Sequence, residues 1–417
     1  MSFDAESLFS NLAEGGPPLF FPDPPAPVTF NFDQGLASEE TFPIEDFKRL
    51  AVKVLERDGG RALEYISFDF DDENQRIIYL STYIELVLGY TGLREQLAAW
   101  LGATQQIDDL EPDSFIVTSG SVQAIAMAME AFVNPGEGTL VEAATFPYAM
   151  RYMQMRDADM RTVAIDSQGI DTDDLERRLI EFRKDGVRPK LLYVIPTFQL
   201  PTGVVTPLER RRRILELAEE FDIVVLEDNV YGDLRFEGEP LPTLLNLDTT
   251  GRVIQSHSFS KILAPALRLG WMAGRPEMIA GLAAVRRDLG VSQWFARLVA
   301  EFMAEGRLDD HIVSANAVYR RKRDLAAKAV RQYCEPYVSF EEPSGGFYLW
   351  LHISEDVDWD AAQHEAAMNG VFFRPGEVFM GEEDGQRFLR LAFSHVGDVE
   401  LERGIEVLGK AIHSAVA

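Results

Sequence analysis

The spacing of apolar and polar positions changes character along the 417-residue chain. From Phe47 to Leu55, and again from Gly92 through LREQLAAWL, apolar residues recur every three or four positions, which predicts amphipathic helices. Between residues 115 and 275, short apolar runs alternate with helical patterns. FIVTSG, GTLVEA, LLYVIP, IVVLED and RVIQSHS read as strands, and VQAIAMAMEAFV as a helix following the first of them. Unbroken apolar runs of this length suit strands buried on both faces, so the pattern predicts a mainly parallel sheet covered by helices. Thr206, Pro207 and Glu209 open LERRRRILELAEEF with the residues of a capping box and a first-turn proline. Beyond about residue 295, the helical run AVYRRKRDLAAKAVRQY leads to strand-like stretches around FEEPSGGFYLWLHI, VFFRPGEVF and RFLRLAFS, then a closing helix. This mixture predicts a smaller α+β unit. Near the start, PPLFFPDPPAPVTF holds too many prolines for a helix or central strand and predicts an extended arm. The expected organisation is an α/β chain in three parts. Residues 1–45 form the N-terminal arm and part of the small domain, 46–295 the large domain, and 296–417 the C-terminal small domain.

Charge restricts what such a fold handles. With 40 Lys and Arg against 68 Asp and Glu, the formal net charge is −28, which disfavours nucleic acids and anionic membranes as partners. An apolar content of 46% and a charged content of 26% fit an ordinary globular protein with ample core. Cys334 is the sole cysteine, so no intramolecular disulfide is available, and the six histidines show no paired metal-ligand spacing. The opening MSFDAESLFSNLAEGG lacks the basic start and apolar run of a signal peptide, and no stretch reaches the roughly 18 apolar residues of a membrane span. A cytoplasmic protein without a metal, acting on small molecules, is therefore expected.

In open α/β sheets ligands bind beyond the carboxyl ends of the strands, and three predicted strand ends carry chemistry there. Ser119, Gly120 and Ser121 precede a helix, where free N–H groups and hydroxyls suit a phosphate; ordinary capping is the competing reading. Asp228 ends an apolar run with Tyr231 three residues on, and a buried carboxylate needs a cation or a strong donor unless it merely caps a turn. Lys261 follows RVIQSHS, with Ser258, Ser260 and Arg268 nearby as donors. A desolvated lysine beside another cation loses proton affinity and becomes a nucleophile or base, whereas a solvated one does nothing. A phosphate cradle, an acid for a ring nitrogen and an amine able to form a Schiff base are together what pyridoxal 5′-phosphate requires.

At these residues the chain resembles the fold-type I pyridoxal phosphate enzymes, specifically the class I/II aminotransferases of the aminoadipate/kynurenine aminotransferase-like branch. The resemblance runs in order through GLASEETFP, GYTGLRE, TSGSVQAI, EAATFPY, PTFQLPTG, LEDNVY, SFSKILAPALRLG, PSGGFYLW, RPGEVF and LRLAFS. It implies a large domain with a mainly parallel mixed sheet and a smaller α+β domain. Lys261 would form the aldimine and carry the proton, Asp228 would pair with the pyridinium nitrogen, and Tyr231 would donate to the phenolic oxygen. Phe146 would stack on the ring, while Ser119, Gly120, Ser121, Val122, Ser258, Ser260 and Arg268 would surround the phosphate. Arg390 would grip the substrate α-carboxylate as a bidentate fork, and Gly35 would border the substrate. The implied reaction moves an amino group from an L-amino acid to a 2-oxo acid in a homodimer with its site at the subunit boundary. Elimination, replacement or oxidation from the same carbanion is the alternative. A ligand-sensing domain like those fused to winged-helix regulators is a third, which the short stretch preceding the resemblance argues against.

The chain also departs from the pattern. Where the family reads Asn-Pro-Thr-Gly, this chain reads Leu200-Pro201-Thr202-Gly203, and leucine cannot donate to the cofactor's phenolic oxygen. Losing that donor would leave the cofactor's Schiff base protonated to higher pH, unless a shift of register lets Gln199 supply the amide. Tyr83 stands one residue away from the place of a tyrosine that reaches the partner subunit's phosphate. Val122 and Gln123 stand where two glutamines are common.

Overall fold

In the computed structural model, residues 24–64, 84–107, 109–380 and 385–416 are described. Tyr83 and the proline-rich stretch through residue 23 lie outside them. In chain order the strands are β1 (Phe30–Asn31), β2 (Phe115–Thr118), β3 (Gly138–Glu142), β4 (Asp159–Val163), the hairpin β5 (Ile165–Asp166) and β6 (Gly169–Ile170), β7 (Pro189–Val194), β8 (Val224–Asp228), β9 (Val253–Ser258) and β10 (Gly270–Ala273). They continue with β11 (Val338–Ser339), β12 (Tyr348–Ile353), β13 (Val371–Phe372), β14 (Arg374–Pro375) and β15 (Phe388–Ala392).

The large sheet has the order β2-β10-β9-β8-β7-β3-β4. β10 runs antiparallel to both neighbours, and the remaining adjacent pairs are parallel. Alternate residues explain the unbroken apolar runs. Leu191, Tyr193 and Leu226 belong to one core, while Leu192, Val194 and Val225 belong to a second core on the opposite face. Each face is covered by helices, Ser121–Phe132 on the first and Thr172–Lys184 with Leu208–Phe221 on the second. Fully burying one such leucine or valine contributes about 1.5–3 kcal/mol, so neither face tolerates polar replacements.

The small sheet is β11-β12-β15-β14, wholly antiparallel. The N-terminal segment joins it: β1 pairs in parallel with β13, and the Ala392 amide donates to Phe32 O at 2.9 Å. Helix Arg307–Cys334 packs on β11 and β12, and helix Asp398–Ser414 packs on that helix and on β1 and β13. Helix Gln293–Ala304 passes through residues 295 and 296, where the sequence pattern places the division between the units. No helix among the described residues is long and apolar enough to cross a membrane.

One expected element takes another form. Helix Leu208–Phe221 has Pro207 as its cap residue and no side-chain cap bond, and Thr206 Oγ1 is buried without a partner. Arg211, on the first turn, instead reaches back to Thr206 O and Pro196 O, both at 2.8 Å. A guanidinium thus joins the helix start to the preceding loop, where a capping box was expected. The pattern reading also passed over β4 and β10. RLGWMAG looks like the end of a motif, yet the four residues Gly270–Ala273 form a fully buried strand between β2 and β9.

Candidate active site

The strand register brings the chemistry to one edge. Gly270 lies opposite both Thr118 and Ser258, and Asp228 opposite Ser256, so the ends of β2, β9 and β8 meet the beginning of β10. Here Gly270 cannot be replaced, because a Cβ would sit 2.6 Å from His257 O and 2.9 Å from Gly120 Cα. Above this edge lies a cavity of about 400 Å³. Gly35, Gly120, Ser121, Val122, Phe146, Asp228, Tyr231, Ser258, Ser260, Lys261, Arg268 and Arg390 all line it. Ser119 does not, although its carbonyl accepts from Arg268 Nη2 at 2.8 Å.

One end of the cavity gathers hydrogen-bond donors around a helix start. Helix Ser121–Phe132 starts after Gly120, whose φ is 90°, and no side chain caps its first N–H groups. A Cβ on Gly120 would crowd Arg268 Nη2 at 3.1 Å. Arg268 itself holds a left-handed φ of 49°, which turns its guanidinium toward this loop. Opposite, Ser258 Oγ donates to Ser260 Oγ at 2.9 Å and accepts from the Ser260 amide at 3.1 Å.

The middle of the cavity holds a lysine and an acid. Lys261, on the short helix Phe259–Ile262, donates from Nζ to Gly35 O at 2.6 Å and lies 5.9 Å from the Tyr231 ring centroid. Burial pushes its pKa down, and Arg390 and Arg268 push the same way against Tyr348 and Asp228. Asp228 is pushed up by burial, although Tyr193 Oη donates to Oδ2 at 2.7 Å and the Val230 amide to Oδ1 at 3.2 Å. No cation among the described residues makes an ion pair with it. His257, stacked on Trp271 at 4.4 Å, accepts the Ser258 amide at Nδ1 and therefore donates from Nε2 to Asp233 at 2.8 Å.

Leu200, 3% exposed, also lines the cavity. Gln199 turns away from it: Nε2 donates to Ala144 O at 2.5 Å and to Glu142 Oε2 at 3.2 Å, and Oε1 accepts from Thr202. The register therefore presents leucine, and Gln199 does not stand in for the missing amide. Glu142 beneath it is fully enclosed, which raises its pKa to about 8 despite the bonds from Gln199 and the Ile195 amide.

The other end draws on the small sheet and the N-terminal segment. Arg390 lies 4.4 Å from the Tyr348 ring and 5.0 Å from Phe379, donates to Asp33 O, and keeps Nε buried without a partner. Tyr348 Oη hydrogen-bonds Tyr231 Oη at 2.8 Å. Gly35 belongs here for want of space, since a Cβ would fall 1.8 Å from Tyr348 Oη.

The sequence reading did not assign Tyr193, Tyr348, Asp33, Arg374 or Glu142. A signal existed for Tyr193 and Glu142: a polar group inside an apolar strand run must find a partner. Asp33 and Arg374 gave none, because their meeting depends on β1 pairing with β13.

A model of the aminotransferase class I and II family matches residues 83–408. Over 380 residues the chain is 34% identical to aromatic-amino-acid aminotransferase 1 of Thermococcus litoralis, covering 91% of this chain and 86% of that protein. The multiple substrate aminotransferase of Thermococcus profundus has a TM-score of 0.87 at 31% identity, with 99% of each chain covered. The kynurenine aminotransferase of Pyrococcus horikoshii, solved in complex with PMP, also reaches 0.87, at 30% identity over 99% of this chain and 98% of that one. The chain belongs to the class I and II aminotransferases, a family of fold-type I pyridoxal phosphate-dependent enzymes, and its activity is amino-group transfer between amino and oxo acids.

Proposed function

We propose that the chain binds pyridoxal 5′-phosphate in this cavity and uses Lys261 as its reactive amine. The observation that carries the reading is a pair of groups without an ion-pair partner among the described residues, the half-buried Lys261 amine and the buried Asp228 carboxylate, facing one cavity beside an uncapped helix start. Both are costly to bury alone, and a phosphorylated pyridine aldehyde suits both. The fit extends to the cradle: the Ser121 and Val122 amides, the Ser258 and Ser260 hydroxyls and Arg268 would hold the phosphate. Asp228, oriented by Tyr193, would hold a ring N–H; Tyr231 would donate to the phenolic oxygen; Phe146 would cover the ring.

When bound, the cofactor supplies an electron sink for a carbanion at the substrate α-carbon. The chain's residues do the rest. Lys261, whose proton affinity burial lowers, takes a proton at Nζ and gives it back later in the transfer. Arg390 exchanges its bond to Asp33 O for the substrate α-carboxylate, a stronger charge-assisted fork. Leu200 offers no donor, so Tyr231, itself bonded to Tyr348, is the donor left at the phenolic oxygen. That loss tunes the cofactor's electronics away from those of a site carrying asparagine. Bound substrate approaches a homodimeric, cytoplasmic enzyme in this reading.

The test is spectroscopic. Purified protein should carry a visible chromophore that Lys261→Ala abolishes and that an amino acid donor bleaches without releasing ammonia. A colourless protein that cannot be reconstituted, or ammonia released stoichiometrically without an oxo-acid acceptor, overturns the reading. Leu200→Asn should shift the pH titration of the chromophore downward.

A further inference from the structure

The end of the cavity away from the proposed phosphate cradle sets beside Arg390 an ion pair that the amino-transfer chemistry does not use. Arg374 and Arg390 sit directly opposite one another on β14 and β15. Between them is Asp33, 6% exposed, from the N-terminal segment. Arg374 grips its carboxylate with both Nε and Nη2, the latter 2.5 Å from Oδ2. Arg390 Nη2 lies 3.9 Å from Oδ1 while donating to the Asp33 carbonyl. All three residues line the cavity.

We propose that Asp33 is a built-in carboxylate that occupies Arg374 and so makes the pocket select amino acids without a second carboxylate. The inference rests on the functional reading above and names the substrate class for it. Asp33 holds the Arg374 guanidinium, and the substrate α-carboxylate would engage Arg390. A distal carboxylate would then arrive against the Asp33 carboxylate, where like charges repel.

Asp33 is not free to swing aside. Phe32 donates to Phe372 O at 2.7 Å and its carbonyl accepts from Ala392, so the residue before Asp33 is fixed between β13 and β15. The Asp33 amide donates to Asn31 Oδ1 at 3.0 Å, which fixes its backbone independently of Arg390. The surroundings match a neutral or aromatic side chain, since Leu36, Tyr148, Leu200 and Tyr348 line the same cavity.

The experiment titrates the reconstituted enzyme calorimetrically with two unreactive carboxylates, 3-phenylpropionate and glutarate. Wild type should bind 3-phenylpropionate at least about tenfold more tightly than glutarate. Asp33→Asn should tighten glutarate by on the order of tenfold, and Asp33→Asn/Arg374→Leu should abolish that gain. If Asp33→Asn does not fold, Arg374→Leu alone serves, and its ratio must move further against glutarate. Tighter binding of glutarate by wild type, or an unchanged ratio in folded Asp33→Asn, overturns the assignment. A protein that retains no pyridoxal phosphate overturns the functional reading instead, before any carboxylate is added.

Discussion

The two ends of the cavity are made in different ways. The phosphate-like end is backbone and short side chains at the edge of a single sheet, with Gly120, Ser258 and Gly270 drawn together by strand register. The opposite end is made of long charged side chains from distant segments, Asp33 before the first helix and Arg374 and Arg390 on the small sheet. The first end is rigid because moving it means breaking a seven-stranded ladder. The second depends on the N-terminal segment staying paired with β13 and β15. A group common to many reactions suits the first end, and a group that varies between substrates suits the second.

Substitutions can break this division. The largest effect is expected from Gly35→Ala, whose new methyl would overlap Tyr348 Oη. kcat/KM should fall by on the order of 10²-fold while the visible chromophore survives. Equal loss of chromophore and activity would mean that the two ends are not separable. Next, Tyr193→Phe removes the 2.7 Å donor to Asp228 at the rigid end, leaving that carboxylate one bond poorer. Cofactor affinity should drop by about tenfold, with the ratio of aromatic to dicarboxylic substrates unmoved. Equilibrium dialysis measures the first quantity and paired kcat/KM values the second.

The last effect concerns stability, away from both ends of the cavity. Glu142 keeps its proton to about pH 8 in the folded chain, whereas an unfolded chain releases it near the ordinary glutamate value of 4.5. Its contribution is therefore complete below pH 4.5 and is eroded as pH rises toward 8. Glu142→Gln should remove a fall on the order of 3 kcal/mol over that window, seen in denaturant unfolding at pH 5 and pH 8. A mutant whose pH dependence parallels that of wild type would place the proton elsewhere.

The same division explains what could be read from the sequence. Strand ends are local, so FIVTSG, IVVLED and RVIQSHS already presented Gly120, Asp228 and Ser258, and the motif around Lys261 lay beside them. β10 was hidden because four residues are too few to show a period. The pairing of Asp33 with Arg374 joins residues 341 positions apart, and no spacing rule reaches so far. Leu200 was visible as a departure, but which of Leu200 and Gln199 faces the cavity needed the path of the backbone between Gln199 and Gly203.

The bond from Arg390 to Asp33 closes a separation of 357 residues, and the bond from Lys261 to Gly35 one of 226. Contacts this far apart form late, because the entropy of closing so long a loop must be met first. During synthesis the large sheet can assemble as soon as β10 has emerged, while the N-terminal segment waits for β13 and β15. Lys261 is thus synthesised long before the strands that complete the far end of the cavity. The bond that joins Asp33 to Arg390 cannot close until residue 390 itself has been made.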